Sequence, residues 1–389
     1  MDGDGEDANR EGNDMRKRVL VAMSGGVDSS VAALLLCRQG YEAVGTTCKL
    51  FGNDDIAGSL PEDADAGAFA GTGIVGESTC CSSRDIEDAR QVAFGLGMDY
   101  FVFNYQGLFG REVIDRFCDE YLHGRTPNPC IDCNRYVKFE ALQKRRRQLE
   151  FDYVATGHYA RRAFDEKTGR YLLKRALDPK KDQSYVLFHL TQDTLAHMLF
   201  PLGELTKPEV RALAREAGFD NAEKSESQDI CFVPDGDYAG FIERRCGRTF
   251  GPGPIVNRRG EVLGQHAGID RYTIGQRKGL GIAAREPLFV YRKDAATNTL
   301  VVGTDAETRE RTVRAGDVNL ISVPDISQPM RVQAKTHYRM AAQPGWARVN
   351  DDGLLEMTFD EPQRAAAPGQ ALVLYDGDTV VGGGTIVGD

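Results

Sequence analysis

Two rhythms of apolar and polar positions run along this chain. In roughly the first 160 residues, short apolar runs alternate with stretches whose apolar residues recur every three or four positions. Residues 19–23 (Val-Leu-Val-Ala-Met) have the length and character of a strand buried on both faces. A Ser-Gly-Gly turn follows, then a helical pattern carrying Val31, Ala32, Leu34, Leu35 and Leu36 up to Gly40, an expected helix stop. The same reading gives a second strand over 41–49, a helix over 83–95 and a third strand over 98–104. A helix over 108–121 follows, with Val113, Ile114, Phe117 and Tyr121 on one face, then a helix over 136–150 and a fourth strand over 152–156. Strands alternating with helices predict an α/β fold, a doubly wound parallel sheet whose ligand lies at the carboxyl ends of its strands. That rim collects the glycine turn, the Cys48 end of the second strand and Gly157-His158.

The second rhythm begins further along. Residues 171–175 read as a hairpin strand, 207–217 as an amphipathic helix opened by Pro208 and closed by Gly218, and 238–245 as one more helix. Strands recur over 288–292, 299–302, 311–313, 330–336, 346–349, 354–359, 371–375 and 380–386, separated by turns such as Asp351-Asp352-Gly353. This predicts a C-terminal antiparallel β-barrel. Residues 1–15 and 52–79 are acidic, glycine-rich and without a period, and are expected to be a disordered tail and an insertion. The expected division is therefore 1–15 tail, 16–234 catalytic domain, 235–303 small central domain and 304–389 barrel.

Composition changes this picture in two places. No run of about 18 apolar residues is present, so no membrane partner is expected. The first 15 residues resemble neither a secretory signal nor a transit peptide, which points to the cytoplasm. The net charge of −10 argues against a nucleic-acid partner until its distribution is seen. Segments 1–15 and 52–79 carry −5 and −6, which leaves +1 on the remainder, with basic clusters at 144–147, 161–162, 244–245, 258–259 and 277–278. Such clusters are either solvated faces or a surface that tracks phosphates.

The glycine turn carries the sharpest chemical signal. Ser24-Gly25-Gly26-Val27-Asp28-Ser29 lacks both the Gly-Lys-Ser/Thr ending of a Walker A loop and the Gly-x-Gly-x-x-Gly of a dinucleotide fold. Gly25 and Gly26 let a ligand approach backbone N–H groups, and the helix N-terminus favours a phosphate. The bland alternative is an ordinary strand–turn–helix corner with Ser24 or Asp28 acting only as a cap. The full pattern resembles the PP-loop of ATP pyrophosphatases, which cleave ATP between the α and β phosphates and adenylate a substrate.

Nine cysteines, an odd number, argue for reduced thiols. Cys130-x-x-Cys133 admits a zinc site, a redox motif, a catalytic thiol or a pair of structural thiols. Zinc lacks two further ligands at suitable spacing, and a Pro-rich loop rather than a strand precedes the pair. A catalytic thiolate needs a lowered pKa, for which Arg135, Lys138 and the N-terminus of the following helix are candidates. Cys231 by itself reads equally as a buried small side chain beside Ile230 and Phe232.

Six stretches together resemble the tRNA-specific 2-thiouridylase family in order and spacing. They are 23–30, 126–139 (Thr-Pro-Asn-Pro-Cys-x-x-Cys-Asn-Arg-x-x-Lys-Phe), 155–160 (Ala-Thr-Gly-His-Tyr-Ala), 181–185 (Lys-Asp-Gln-Ser-Tyr), 227–234 and 272–282 (Tyr-Thr-Ile-Gly-Gln-Arg-Lys-Gly-Leu-Gly-Ile). The resemblance implies a PP-loop, HUP-like catalytic domain in which Ala22, Met23, Ser24, Gly25, Gly26, Val27, Asp28 and Ser29 hold ATP with Mg²⁺. Cys48 and Gly157 are implied as further ATP contacts, and Asp28 as a metal contact through the pyrophosphate. It implies that Cys133 is the nucleophile and that Cys231 receives a persulfide sulfur from a donor protein, a cysteine desulfurase or sulfur-relay carrier. The two are implied to form a redox disulfide. Asn128, Pro129 and Cys130 match the surroundings of the target base; Lys181, Asp182 and Gln183, and later His337, Tyr338 and Arg339, match contacts to the tRNA anticodon stem-loop. The implied reaction adenylates the 2-oxo group of the wobble uridine and replaces it with sulfur, releasing AMP and pyrophosphate.

Chemistry agrees with that scheme. Adenylation turns a poor oxygen leaving group into AMP, a persulfide is a strong nucleophile at neutral pH, and the base must leave its stack to react. One position departs from the pattern. Some relatives carry Asp as a candidate general acid/base where this chain has Cys130, and Asp132 is near but not equivalent. Two other readings stand beside this one: a PP-loop ligase using ammonia, and a non-catalytic RNA-binding protein with a remnant nucleotide fold.

Overall fold

The computed structural model describes residues 16–51, 83–224, 230–248 and 250–388. The expectations for 1–15 and 52–79, and for residues 227–229 of the fifth motif stretch, lie outside the described residues.

Strand β1 (Arg18–Ala22) is the centre of the first domain. Val19, Leu20 and Val21 are fully buried, as a strand covered on both faces requires. β2 (Glu42–Lys49) and then β3 (Tyr100–Asn104) pair in parallel on one side of it. On the other side lie β4 (Tyr153–Thr156) and the two-residue β7 (Met198–Leu199), also parallel. The order β3-β2-β1-β4-β7 reverses direction between β1 and β4, the topological switch point at which such sheets bind ligands. Helix α1 (Val27–Arg38) leaves β1 through the glycine turn, and α2 (Ser83–Gly95) precedes β3.

The next two helices are longer than the sequence pattern suggested. Helix α3 spans 106–122 with a wide π segment at Gly110–Asp115. Helix α4 spans 129–148 with a second π segment at Cys133–Ala141, a form that gathers at functional sites. The expected start of α4 at residue 136 is corrected to Pro129. Proline breaks a helix interior but is preformed for its first turn, and Asn128 caps that turn by accepting the Cys130 N–H at 3.2 Å. Cys130 and Cys133 therefore lie inside the helix rather than in a loop before it.

Strands β5 (Ala160–Asp165) and β6 (Arg170–Arg175) form the expected hairpin, which the fold uses in an unexpected place. Short α5 (Gln192–Ala196) and then α6 (Lys207–Glu216) follow; α6 is opened by a capping box between Thr206 and Glu209. Helix α7 (Tyr238–Cys246) begins the central domain. There β8 (Gly253–Asn257), β9 (Val262–His266), β10 (Phe289–Asp294) and β11 (Thr299–Gly303) form a sheet of order β10-β11-β8-β9.

Strands β12 (Arg309–Leu320), β13 (Met330–Lys335), β14 (Gln343–Val349), β15 (Leu355–Arg364), β16 (Ala371–Asp376) and β17 (Thr379–Ile386) form the expected antiparallel barrel, closed by β12 pairing with β17. The β5–β6 hairpin joins the edge of β17 through Lys174 opposite Thr379. One apolar cluster accordingly runs from Leu20 and Val154 through Tyr185 and Leu187 to Val373, Tyr375 and Val380. First domain and barrel share a core, so the barrel is fixed relative to the parallel sheet. Among the described residues no helix is long and apolar enough to cross a membrane.

Candidate active site

The glycine turn is built for close approach. Gly25 takes a left-handed φ of +72°, and a Cβ there would collide with the Asp85 carbonyl of α2. The N-cap of α1 is Gly26 and has no side-chain cap, which removes the reading in which Ser24 or Asp28 serves only as a cap. Ser29 instead closes the turn on itself: its hydroxyl accepts the Ser24 N–H at 3.1 Å and donates to the Gly26 carbonyl at 3.0 Å. From behind, Asn221 donates to the Gly25 carbonyl at 3.0 Å and to the Ser30 hydroxyl at 2.9 Å. Lys224 is anchored there by Asp85 and Asp88, each at 2.6 Å.

At the switch point a cavity of about 370 Å³ opens between the ends of β1, β2 and β4. Ala22, Met23, Ser24, Asp28, Ser29, Cys48 and Gly157, seven of the ten expected nucleotide contacts, line it. Gly157 must be glycine, because a Cβ there would come within 2.7 Å of the Ser29 nitrogen. The same cavity is lined by Lys181 and Gln183 with Tyr338, which arrives from the barrel turn after β13 and donates to the Asp182 carbonyl at 3.4 Å. Two stretches whose contact spans 156 positions of sequence, each read separately as RNA contacts, thus meet on one cavity rim. His337 and Arg339 flank Tyr338 on that turn and are exposed. The Asp182 carboxylate faces its own loop, accepting from the Ser184 N–H, the Ser184 hydroxyl and the Ala176 N–H.

Two residues that sequence reasoning did not single out, Lys207 and Tyr159, control Asp28. Lys207 at the start of α6 holds both Asp28 oxygens at 2.7 and 2.8 Å, and the Tyr159 hydroxyl donates to one of them at 2.7 Å. Tyr159 is held in turn by Gln183, which accepts its N–H and donates its own N–H to the Tyr159 carbonyl, both at 2.9 Å. Gln183, Tyr159, Asp28 and Lys207 thereby connect the Lys181–Gln183 loop to the glycine turn. Among the described lining residues Asp28 is the sole acid, against Lys138, Lys180 and Lys181. With Asp28 neutralised by Lys207 the cavity is electropositive, suited to a polyphosphate. Both Asp28 oxygens are taken up by Lys207, so a metal travelling with the nucleotide would meet Asp28 only through the pyrophosphate, as the resemblance implies.

His158, which also lines the cavity, is buried, and burial with Lys138 nearby lowers its pKa to about 3. It meets the Thr156 hydroxyl at 2.9 Å and is a neutral imidazole at physiological pH.

Cys133 lies outside the cavity lining, on the π segment of α4, 7% exposed. It belongs to an apolar cluster with Phe51, Phe109, Phe117, Val137 and Phe232, against which Cys231 also packs. The structure therefore brings the two expected thiols, 98 positions apart in sequence, to one cluster. That cluster reaches the cavity through Leu50 and Cys48, which belong to both. Cys130 is exposed on the first turn of α4. Asp132 between them is pushed up to about 6 by burial, against the pull of Arg116 and Arg135. Of the groups expected to activate a thiolate, Arg135 is committed to Asp317, and the helix N-terminus lies before the cysteines.

Fold and site define a HUP-type α/β domain that carries a PP-loop and is followed by two β domains. Models described as a tRNA methyl transferase HUP domain, a tRNA methyl transferase PRC-barrel domain and an aminomethyltransferase beta-barrel domain match residues 17–235, 239–304 and 310–386. A protein of Symbiobacterium thermophilum named tRNA-specific 2-thiouridylase MnmA is 51% identical over 96% of this chain and 93% of its own length. Proteins of the same name from Acetivibrio thermocellus and Clostridioides difficile are 46% and 45% identical, over 95% and 96% of this chain and 99% and 98% of theirs. The chain belongs to the tRNA-specific 2-thiouridylase family.

Proposed function

We propose that this chain is an ATP-dependent tRNA sulfurtransferase that converts the wobble uridine to 2-thiouridine. The observation that carries the reading is one electropositive cavity lined both by the glycine turn and by Lys181, Gln183 and Tyr338. A triphosphate on the glycine turn is then within reach of a base entering past Lys181 and Tyr338.

In this reading ATP is consumed as a substrate. The backbone of residues 24–27 and the α1 N-terminus take its phosphates, and Lys138, Lys180 and Lys181 offset their charge. The uridine 2-oxo group attacks the α-phosphate, pyrophosphate leaves, and the base carries AMP. The outer sulfur of a Cys231 persulfide, loaded by a donor protein, attacks C2 as the bond to AMP breaks; the Cys133 thiolate then attacks the inner Cys231 sulfur, releasing 2-thiouridine and leaving a Cys133–Cys231 disulfide that an external thiol reduces before the next turnover. A shared apolar cluster supports the pairing of the two thiols, because it gathers Cys133 and Cys231 in one place. Magnesium accompanying the nucleotide would be held by phosphates and water.

The test incubates the protein with unmodified tRNA, ATP and a sulfur source and weighs the wobble uridine by mass spectrometry. Expected are 2-thiouridine with AMP and pyrophosphate, and loss of the product to background in Cys133→Ser and Cys231→Ser. Methylated uridine formed without ATP consumption would instead favour the methyl-transfer wording of the family descriptions.

A further inference from the structure

Both flanks of the Cys130–Cys133 turn are held by the C-terminal barrel. On the entering side, the Thr126 N–H donates to the Pro368 carbonyl at 2.8 Å, and the Gln370 side-chain amide donates to the Thr126 carbonyl at 2.7 Å. Gln370 is 9% exposed, so this bond is out of water. Gly369 lies flat against the same peptide: its φ is +91°, and a Cβ there would stand 3.1 Å from the Thr126 carbonyl carbon and 3.2 Å from the Pro127 nitrogen. On the leaving side, further along α4, Arg135 grips Asp317 through both guanidinium branches. Asp317 sits at a φ of +47° in the irregular stretch of β12 between Gly316 and Asn319.

These two anchor points belong to one feature of the barrel, the β12–β17 seam that closes it. Ile386 of β17 accepts from the Gly369 N–H and donates to the Gln370 carbonyl, and its partner across the seam is Ala315, two residues before Asp317. Asn319, two residues after Asp317, donates to the carbonyls of Phe188 and Leu190 in the first domain at 2.7 and 3.0 Å. The seam is thus docked on the catalytic domain. A closed barrel has no free edge along which such a seam can slip.

We infer that Gln370, Gly369 and Asp317 are positioning residues: through Thr126 and Arg135 the barrel seam sets the placement of the α4 start and hence of Cys133. The inference rests on the proposed sulfur-transfer reading for its catalytic consequence, while the placement itself is measurable without it. A reacting thiol tolerates little displacement, since a shift of about 1 Å can cost on the order of a hundredfold in rate. This gives the barrel a role in the chemistry beyond any contact it makes with RNA.

The test uses full-length protein carrying Asp317→Asn, Gln370→Leu, Arg135→Asp, Asp317→Arg or the Arg135→Asp/Asp317→Arg exchange. Asp317 is half exposed and sits at a φ of +47°, which Asn also tolerates, so Asp317→Asn is the variant expected to keep the fold; circular dichroism checks Asp317→Arg and the exchange before their rates are read. Two quantities are read. One is the steady-state rate of tRNA thiolation, resolved into kcat and the KM for tRNA. The other is the alkylation rate of Cys133 by iodoacetamide, located by mass spectrometry with no ATP or tRNA present. The expected result is a fall in kcat of about tenfold or more with the KM for tRNA unchanged. Alkylation of Cys133 should change severalfold, and the exchange should recover both. A loss of rate confined to a higher KM, or an unchanged alkylation rate in Asp317→Asn and Gln370→Leu, would overturn the inference and leave the seam as a docking contact. If the parent protein made no 2-thiouridine, the proposed function would fail, and the alkylation rates would still decide the placement.

Discussion

The residue on which most of the site converges is Asp28. It stands in the first turn of α1, where a carboxylate is favoured by the helix dipole, yet it faces the space where phosphates are expected. Lys207, whose side chain is 10% exposed, resolves that conflict by taking up both oxygens. Asp28 is 29% exposed and keeps the Tyr159 hydroxyl when the lysine is removed, so the cost falls below the roughly 3–5 kcal/mol of breaking a fully buried pair. Lys207→Met is therefore expected to lower stability by about 1–2 kcal/mol and to abolish pyrophosphate release. The double variant Asp28→Asn/Lys207→Met should regain most of the stability without regaining pyrophosphate release. Urea denaturation and a pyrophosphate assay separate these outcomes. A double variant as unstable as Lys207→Met alone would show that the lysine acts through packing rather than through Asp28. tRNA binding should persist in all of them, because none of the substitutions removes Lys181 or Tyr338.

Among the elements, the turn between β1 and α1 has little freedom. Its two contacts to neighbouring backbone, Gly25 against Asp85 and Gly157 against Ser29, each exclude a methyl group. Gly157→Ala should keep the sheet, since β4 ends at Thr156, but displace the α1 N-terminus. The expected outcome is loss of ATP binding by calorimetry with an unchanged circular dichroism spectrum; tight ATP binding would refute the crowding argument. This turn was legible in the sequence because glycine, serine and aspartate at fixed offsets after an apolar run describe backbone geometry directly. The barrel was legible for a similar reason: β13 and β14 alternate buried and exposed residues along much of their length. Strands β8 and β9 were not, because β9 leaves Val262 and Leu263 exposed and shows no alternation to read. The start of α4 was missed because a proline that opens a helix looks locally like one that ends it. Lys207 was missed for another reason: its partner lies 179 positions away, and its only local signal was a place at the head of an amphipathic helix. The meeting of Tyr338 with the Lys181–Gln183 loop was equally invisible, being a product of barrel docking.

At the scale of the whole molecule, the junction between the catalytic and central domains contains an unfavourable group. Lys293 on β10 is 7% exposed, and its ammonium has no hydrogen-bond partner among the described residues. It lies 5.3 Å from the centre of the Tyr121 ring at the end of α3, and its carbonyl packs against Gly124. The charged group facing it is Asp270, whose Oδ1 is also without a hydrogen bond there. Burial lowers the Lys293 pKa from 10.5 to about 8, with Asp270 opposing the shift only in part. Below about pH 8 the folded protein must carry a buried charge that the unfolded chain exposes to water. Between about 8 and 10.5 the folded lysine is neutral while the unfolded one still binds its proton, so stability rises with pH across that window. Lys293→Met keeps the stem and removes the charge, so at pH 7 it should stabilise the protein, by up to about 3 kcal/mol. It should also flatten the pH dependence between 8 and 10.5. Guanidinium unfolding midpoints of both proteins at about pH 7, 8, 9 and 10 test this. The gain should be largest at the lowest of these and shrink steadily towards the highest. A less stable variant with an unchanged pH slope would mean that the ammonium is compensated in the junction, and that the cation over Tyr121 holds the two domains together rather than straining them.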